Sequence, residues 1–233
     1  MAALYQFNTL ASLMSGFYDG QISVSDITQH GDFGLGSFDQ VDGEMIVLDG
    51  QVYQARGDNS VRIVDSAQTS PYLAVTQQKA DVKFGLMGNF GLAETEKQIE
   101  NRLISRNLFH SVKIHGDFPR MKIRMATKTP SGVGFDVVSA HQAEYELSDL
   151  TGTIVGFWAP SLFQGAALAG FHLHFISDDK TVGGHVYDFD MENAEVELGK
   201  IDRIEQDFSI YDENFLKNEI DLQKINEIIE LTE

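Results

Sequence analysis

The sequence of 233 residues contains no cysteine. Disulfide bonds, thiolate metal sites, iron–sulfur clusters and cysteine nucleophiles are therefore excluded. Any metal site in this chain must use histidine, aspartate or glutamate side chains. Long apolar runs are also missing, and the N-terminal residues lack the basic start and apolar stretch of a signal peptide. These absences predict a cytoplasmic protein without a transmembrane segment.

Basic residues are scarce as well. The chain has 17 Lys and Arg against 35 Asp and Glu, which gives a formal net charge of −18. Such a surface repels phosphate backbones and anionic headgroups, so we expect neither nucleic acid nor a membrane as a partner. Hydrophobic residues make up 42% of the chain, which is enough for a substantial core.

Strand patterns dominate the chain. Residues 43–55 predict a hairpin with the turn dipeptide Asp49-Gly50, and residues 109–126 predict another that turns at Gly116-Asp117. Further strands are predicted near residues 61–65, 72–77, 82–87, 135–140, 151–159, 170–178, 183–191 and 194–204, and helices near 8–19, 23–29, 92–105 and 221–231. Because no βαβ alternation appears, we expect an α+β fold with β-rich, mostly antiparallel or mixed sheets and a few flanking helices.

Residues 127–134 are rich in Thr, Ser, Pro and Gly, a composition typical of a connection between structural units. We therefore expect two domains, an N-terminal mixed-sheet domain of residues 1–130 and a C-terminal domain of residues 131–233.

Three histidines form the most informative chemical pattern. Alternation along a strand puts His172 and His174 on one face and three large apolar residues on the other. If residues 171–189 form a symmetric hairpin that turns near Asp179-Lys180, His174 lies directly opposite His185, at a Cβ separation of about 4.5–5.5 Å. Three imidazoles then converge on one patch of the expected C-terminal domain. Three nitrogen ligands with an open coordination position are typical of catalytic zinc.

This pattern has alternatives. An HxH pair alone is weak evidence, and an imidazole site also suits iron, manganese, cobalt or nickel. Cupin-like metal oxygenases carry HxH on a strand with a later histidine, and a non-enzymatic zinc-binding protein could use the same three ligands. Of the other four histidines, His30 is predicted to lie at a helix end, and His110, His115 and His141 are predicted to be solvent-facing or structural.

Long segments of the chain resemble one enzyme family, the acetolactate decarboxylases. In the second half these are GTIVGFWAP (residues 152–160) and GFHLHFISDDKTVGGHVYDF (170–189). In the first half they are HGDFGLGSFDQVDGEMIVLDGQVYQ (30–54) and SRNLFHSVKIHGDFPRMKIRM (105–125). The resemblance covers nearly the whole chain.

The resemblance implies one zinc ion per chain, held by His172, His174 and His185. The implied reaction is decarboxylation of 2-acetolactate to acetoin and carbon dioxide, a step of acetoin and butanediol biosynthesis. Zinc would act as a Lewis acid that stabilises the enediolate left by carbon dioxide. The resemblance also implies a homodimer.

Four further residues are implied as catalytic groups around the metal. They are Ser37, Glu44, Arg124 and a glutamate of the C-terminal tail, which is Glu233 with Glu230 as the alternative. Arg124 is the last of three cations that alternate along one strand, and spacing alone does not select it. Glu44 and the tail glutamate are candidates for the proton donor, provided that burial or a neighbouring carboxylate raises the pKa of one of them.

Overall fold

The structure, a computed structural model, describes residues 2–232 of the chain and the side chains of residues 2–229. The helices are α1 (Leu10–Met14), α2 (Val24–His30), α3 (Leu92–Glu100), α4 (Phe135–Ala140), α5 (Glu213–Lys217) and α6 (Leu222–Thr232). The strands are β1 (Ala3–Phe7), β2 (Ile22–Ser23), β3 (Phe33–Ser37), β4 (Glu44–Leu48), β5 (Gln51–Ala55), β6 (Val61–Ile63), β7 (Thr69–Ser70), β8 (Leu73–Thr76), β9 (Val82–Leu86), β10 (Phe90–Gly91), β11 (Phe109–Met125), β12 (Ala143–Ala159), β13 (Gly170–Ser177), β14 (Gly183–Ile201) and β15 (Arg203–Asp207).

The first sheet has the strand order β15-β1-β8-β3-β4-β5-β6. Only β1 and β15 run parallel, and the other neighbours in this sheet are antiparallel. Strand β4 is buried on both faces. Ile46 packs into the core that this sheet shares with the second sheet, while Met45 and Val47 pack on the opposite side with Ile27 of α2. This double burial explains the continuous apolar run after Glu44.

The second sheet contains four strands that close into a ring. Its order is β10-β14-β11-β12-β13, and β14 also pairs with β13. Phe118 of β11 contacts Phe175 of β13 and Phe189 of β14 edge to face, with ring centroids 5.2 and 5.6 Å apart. All three rings are fully buried. The apolar side of β13 therefore faces the core enclosed by the four strands. Its histidine side faces away from the three aromatic side chains.

The expected α+β fold with mostly antiparallel sheet is confirmed. Strands β4 and β5 form the predicted hairpin, and Asp49 and Gly50 have φ values of 52° and 78°, as a tight two-residue turn requires. The turn between β13 and β14 is also confirmed, since Lys180 N donates to Ser177 O at 3.0 Å. Among the described residues, no helix is both long and apolar enough to cross a membrane.

Two predictions of local structure are wrong. Strand β11 continues through Gly116-Asp117, where a turn was expected. A Cβ atom at Gly116 would lie 2.6 Å from the Cβ of Ala194 on β14, so this glycine allows two strands to approach closely. Residues 135–140 form helix α4, because Phe135 and Val138 lie three residues apart and are buried together against α6.

Each of the two sheets contains strands from both sides of the expected domain boundary at residue 130. Strands β9, β10 and β11 precede this residue and lie in the second sheet, while β15 follows it and lies in the first. The division into domains of residues 1–130 and 131–233 stays a prediction.

The turn before β4 depends on a glycine with a left-handed backbone. Gly43 has a φ of +82°, and a Cβ atom there would lie 2.2 Å from the carbonyl oxygen of Ala55. Its N–H donates to Ala126 O at 3.1 Å. The turn therefore needs both the backbone freedom and the small volume of glycine.

We predict that Gly43→Ala destabilises the protein more than Gly50→Ala. Both substitutions force alanine into a left-handed conformation, at a cost of about 1–2 kcal/mol. Only position 43 adds a backbone clash, because no atom lies within 4 Å of a Cβ at Gly50. Calorimetry should give the larger fall in Tm for Gly43→Ala, and equal falls would contradict this account.

Candidate metal centre

One cross-strand row brings together the central residues of the site. His185 of β14 pairs in register with Arg124 of β11 on one side and with His174 of β13 on the other. Directly paired residues in a sheet project from the same face. His172 precedes His174 by two residues and so shares that face. The predicted pairing of His174 with His185 is confirmed.

The three imidazoles lie close enough to bind one ion. Their ring centroids are 5.2–5.3 Å apart in each pair. One nitrogen from each of His172, His174 and His185 falls within 4.8 Å of the others. His174 and His185 are buried, while His172 is half-buried. The arrangement therefore leaves one side of the cluster accessible to a small ligand.

A hydrogen bond fixes the tautomer of His174. Nδ1 of His174 donates to the carbonyl oxygen of Met45 at 2.8 Å, which leaves Nε2 as the nitrogen with a lone pair. That Nε2 atom is buried without a hydrogen-bond partner. Burial, then the neighbouring His172 and His185, hold the pKa of His174 well below its usual range. A buried neutral imidazole with an unsatisfied nitrogen fits a metal ligand.

Arg124 reaches the same cluster. Its Nη2 donates to Nε2 of His185 at 3.1 Å, and its guanidinium lies over the ring of Tyr187 at 5.6 Å. Because a guanidinium is always a donor, this Nε2 of His185 carries a lone pair. The side chain of Arg124 is buried together with His185.

The two other cations of this strand point to different partners. Arg120 binds Asp188 and Asp190 at 2.7 Å each, near the surface. Lys122 lies 3.7 Å from Glu144 and 4.3 Å from the ring centre of Tyr187. Both cations therefore pair with carboxylates near the surface.

Glu44 enters the site from the first sheet. Its Oε1 accepts a hydrogen bond from Ala126 N at 3.0 Å, and its Oε2 lies 3.6 Å from Nε2 of His174. Gly43 N donates to Ala126 O at the same time. The turn thus holds Ala126, which directly follows β11, through both of its backbone polar groups. Ala126 is two residues after Arg124, so these hydrogen bonds hold the end of β11 that carries Arg124 against the turn that carries Glu44.

Ser37 is paired in register with Glu44, so their side chains share a face. Its hydroxyl donates to the carbonyl oxygen of Gly43 at 3.1 Å. Ser37 therefore lies beside the histidine cluster and also stabilises the turn that carries Glu44.

A cavity joins these groups between the two sheets. Its polar lining consists of Ser37, Glu44, Arg124, Gln142, His172 and His185. Its apolar lining includes Leu10, Leu13 and Met14 of α1, Val41, Tyr72 and Phe135. Sequence reasoning did not identify Gln142, because the pairing of β11 with β12 that brings it beside Arg124 is not visible in the sequence.

The predicted tail glutamate cannot be placed from the described residues. Glu233 lies outside the described residues, and Glu230 belongs to α6 but its side chain lies outside them too. Ile229 of α6 lines a second cavity beside Arg124 and His185. Glu96 of α3 also lines this cavity, and burial, with Glu100 nearby, raises its pKa to about 7.

The remaining histidines have structural or surface positions, as predicted. His110 is fully buried, and its Nε2 accepts from Ile104 N at 3.2 Å. His115 is exposed and lies 3.2 Å from Asp178. His30 stacks on the ring of Tyr5. His141 is exposed after α4.

The fold and the site together define an α+β protein with a three-histidine centre suited to a divalent metal. The family model for alpha-acetolactate decarboxylase matches residues 4–222. The chain belongs to the alpha-acetolactate decarboxylase family. Enzymes of this family are carboxy-lyases, so the predictions of the family and of an enzyme are both confirmed.

Individual relatives agree over almost the full chain. An alpha-acetolactate decarboxylase from Lactococcus lactis subsp. lactis is 44% identical, over 99% of this chain and 98% of its own length. One from Streptococcus thermophilus is 45% identical, over 91% of this chain and 90% of its own length. The crystal structure of the Bacillus subtilis strain 168 enzyme superposes with a TM-score of 0.96 at 32% identity, covering 99% of each chain. These matches favour a decarboxylase over the cupin-like and non-enzymatic alternatives.

We predict that His174→Ala abolishes stoichiometric binding of a divalent metal, because it removes the buried nitrogen that lacks a partner. Metal content after loading and gel filtration, measured by mass spectrometry, checks this result. His115→Ala, an exposed change on β11, should keep the wild-type content. One equivalent of metal in a folded His174→Ala variant would show that the ion binds elsewhere.

Proposed function

We propose that the chain decarboxylates 2-acetolactate to acetoin and carbon dioxide, with one zinc ion bound by His172, His174 and His185. The observation that carries this proposal is the buried, partnerless Nε2 of His174 at the centre of a three-histidine cluster. Its support is the long similarity to enzymes named alpha-acetolactate decarboxylase. Nitrogen donors without thiolates suit zinc, and the ion would supply a Lewis acid for the oxygens that gain negative charge.

Arg124 binds the anionic end of the substrate. Its guanidinium is buried in the wall of the cavity, where a charge-assisted hydrogen bond is stronger than at an exposed site. The planar fork can hold a carboxylate through two parallel N–H···O bonds. When the carbon–carbon bond breaks, the electron pair moves away from the carboxylate, and Arg124 stays close enough to stabilise the enediolate.

The reaction consumes one proton, because a carbon–carboxylate bond is replaced by a carbon–hydrogen bond. Glu44 is suited to deliver it. Its Oε1 is held by Ala126 N, so the carboxyl group has a fixed orientation with Oε2 on the side of His174. We propose that Oε2 carries the proton to the substrate carbon, and that Glu233 is the second carboxyl group of the site.

The hydroxyl of Ser37 completes the polar lining, and because its proton is donated to Gly43 O, its oxygen would accept a hydrogen bond from the hydroxyl of the substrate. The apolar wall formed by α1, Val41, Tyr72 and Phe135 excludes water from the methyl groups of the substrate. A homodimer and a cytoplasmic location stay predictions of the sequence and its resemblance.

Acetoin formation tests the proposed reaction directly. The purified protein, loaded with zinc, should release acetoin and carbon dioxide from racemic 2-acetolactate. Activity should disappear with a chelator and return when zinc is added in excess. Colorimetric acetoin detection gives the readout, and a metal-loaded protein that forms no acetoin contradicts the proposal.

We also predict that Arg124→Gln lowers kcat/KM by roughly two orders of magnitude, the scale of a lost charge-assisted interaction. Arg120→Gln is the matched control, since it removes the same cation four residues earlier on β11. Arg120 is held by Asp188 and Asp190, so this variant should keep activity near the wild-type value. Equal losses in the two variants would argue against a specific role for Arg124.

A further inference from the structure

Gln142 occupies a defined place next to the proposed substrate-binding arginine. It follows α4 and directly precedes β12. In the register of β11 and β12, Arg124 pairs with Glu144 and Met125 pairs with Ala143. Alternation along the strand puts residue 142 on the same face as residue 144, and therefore on the face of Arg124. Gln142 is thus a diagonal neighbour of Arg124.

Gln142 is part of the cavity wall. It lines the same space as Glu44, Arg124, His172 and His185. Among the residues whose side chains the structure describes, none forms a hydrogen bond with its side-chain amide. Gln142 is half-buried, so part of the residue is already removed from bulk water. Its donor and acceptor groups are therefore available to a molecule bound in the cavity.

The neighbouring residue on the same face behaves differently. Glu144 is exposed and lies 3.7 Å from Lys122, directed away from the cavity. A carboxylate at position 142 would instead sit inside the cavity beside the substrate anion. A neutral amide at that position adds a donor without adding negative charge.

We propose that Gln142 is a substrate-binding residue that donates a side-chain N–H hydrogen bond to the carboxylate of the substrate, beside Arg124. This inference rests on the proposed function. A carboxylate has about four lone-pair sites, and a guanidinium fork uses only two of them. The amide supplies a further donor for the remaining sites and makes the cavity selective for an anionic end group.

The effect of this hydrogen bond on the kinetics has a definite sign. The carboxylate loses its negative charge as it becomes carbon dioxide. A hydrogen bond to that charge is therefore stronger in the bound substrate than in the transition state. Its removal should raise KM and leave kcat nearly unchanged or slightly higher.

Two variants of zinc-loaded protein test the inference. Gln142→Leu removes the donor at similar volume and should raise KM by about tenfold, the scale of one hydrogen bond to a charged group. Gln142→Glu is isosteric and places a carboxylate next to the substrate anion, so it should raise KM by roughly a hundredfold. Glu146→Leu, an exposed change on the same face of β12, should leave both constants unchanged. A purely structural role for Gln142 would make the isosteric variant the milder one.

A binding experiment separates this inference from the proposed reaction. 2-Hydroxyisobutyrate keeps the tertiary hydroxyl and the carboxylate of acetolactate but has no keto group. Calorimetric titration of the zinc-loaded protein should show its Kd rising in the order wild type, Gln142→Leu, Gln142→Glu.

The outcomes are distinct. If the wild type forms no acetoin but the Kd follows this order, the proposed reaction fails and the role of Gln142 in binding a carboxylate stands. If the wild type forms acetoin and Gln142→Glu has unchanged KM and Kd, the role of Gln142 is refuted and the reaction stands.

Discussion

The position of His185 in the second sheet is the constraint on which the site depends. His185 is the register partner of both Arg124 and His174, because β14 is hydrogen-bonded to β11 at one edge and to β13 at the other. This double pairing exists only because the strands close into a ring. In an open sheet of the order β10-β14-β11-β12-β13, β11 and β12 would separate β13 from β14, and His174 would not meet His185. Ring closure therefore produces the metal centre, while the buried rings of Phe118, Phe175 and Phe189 stabilise the ring from inside.

The first sheet completes the site with backbone groups as well as side chains. Met45 O accepts from Nδ1 of His174 and selects its tautomer, while Gly43 and Glu44 hold Ala126 at the end of β11. These contacts require that alternate residues of β4, beginning with Glu44, face the four closed strands. The residues between them pack into the core on the opposite side of β4. The turn at Gly43 sets that alternation, so a backbone conformation open mainly to glycine determines where the carboxylate of Glu44 lies.

Local patterns in the sequence predicted those parts of the fold that local interactions determine. The Asp49-Gly50 turn and the pairing of His174 with His185 follow from turn chemistry and strand alternation, and both are confirmed. Gly116-Asp117 has the same composition as a turn but lies inside a continuous strand, because the closeness of Ala194 on β14 decides its role. No local rule reports that contact. The approach of Glu44 to His174, across 130 residues, likewise came from the family resemblance and not from spacing.

A metal ion would act on the weakest part of the ring. Strands β13 and β14 pair over only three register positions, whereas β11 pairs with β12 along almost its full length. His174 and His185 form the last of those three pairs, beyond which the two strands separate. An ion held by both histidines would join the strands at this point, and His172 would extend the link along β13. Because an unfolded chain does not present these three nitrogens together, binding would favour the closed ring by mass action. The same geometry that creates the chemistry therefore lets the ion stabilise the fold that holds it.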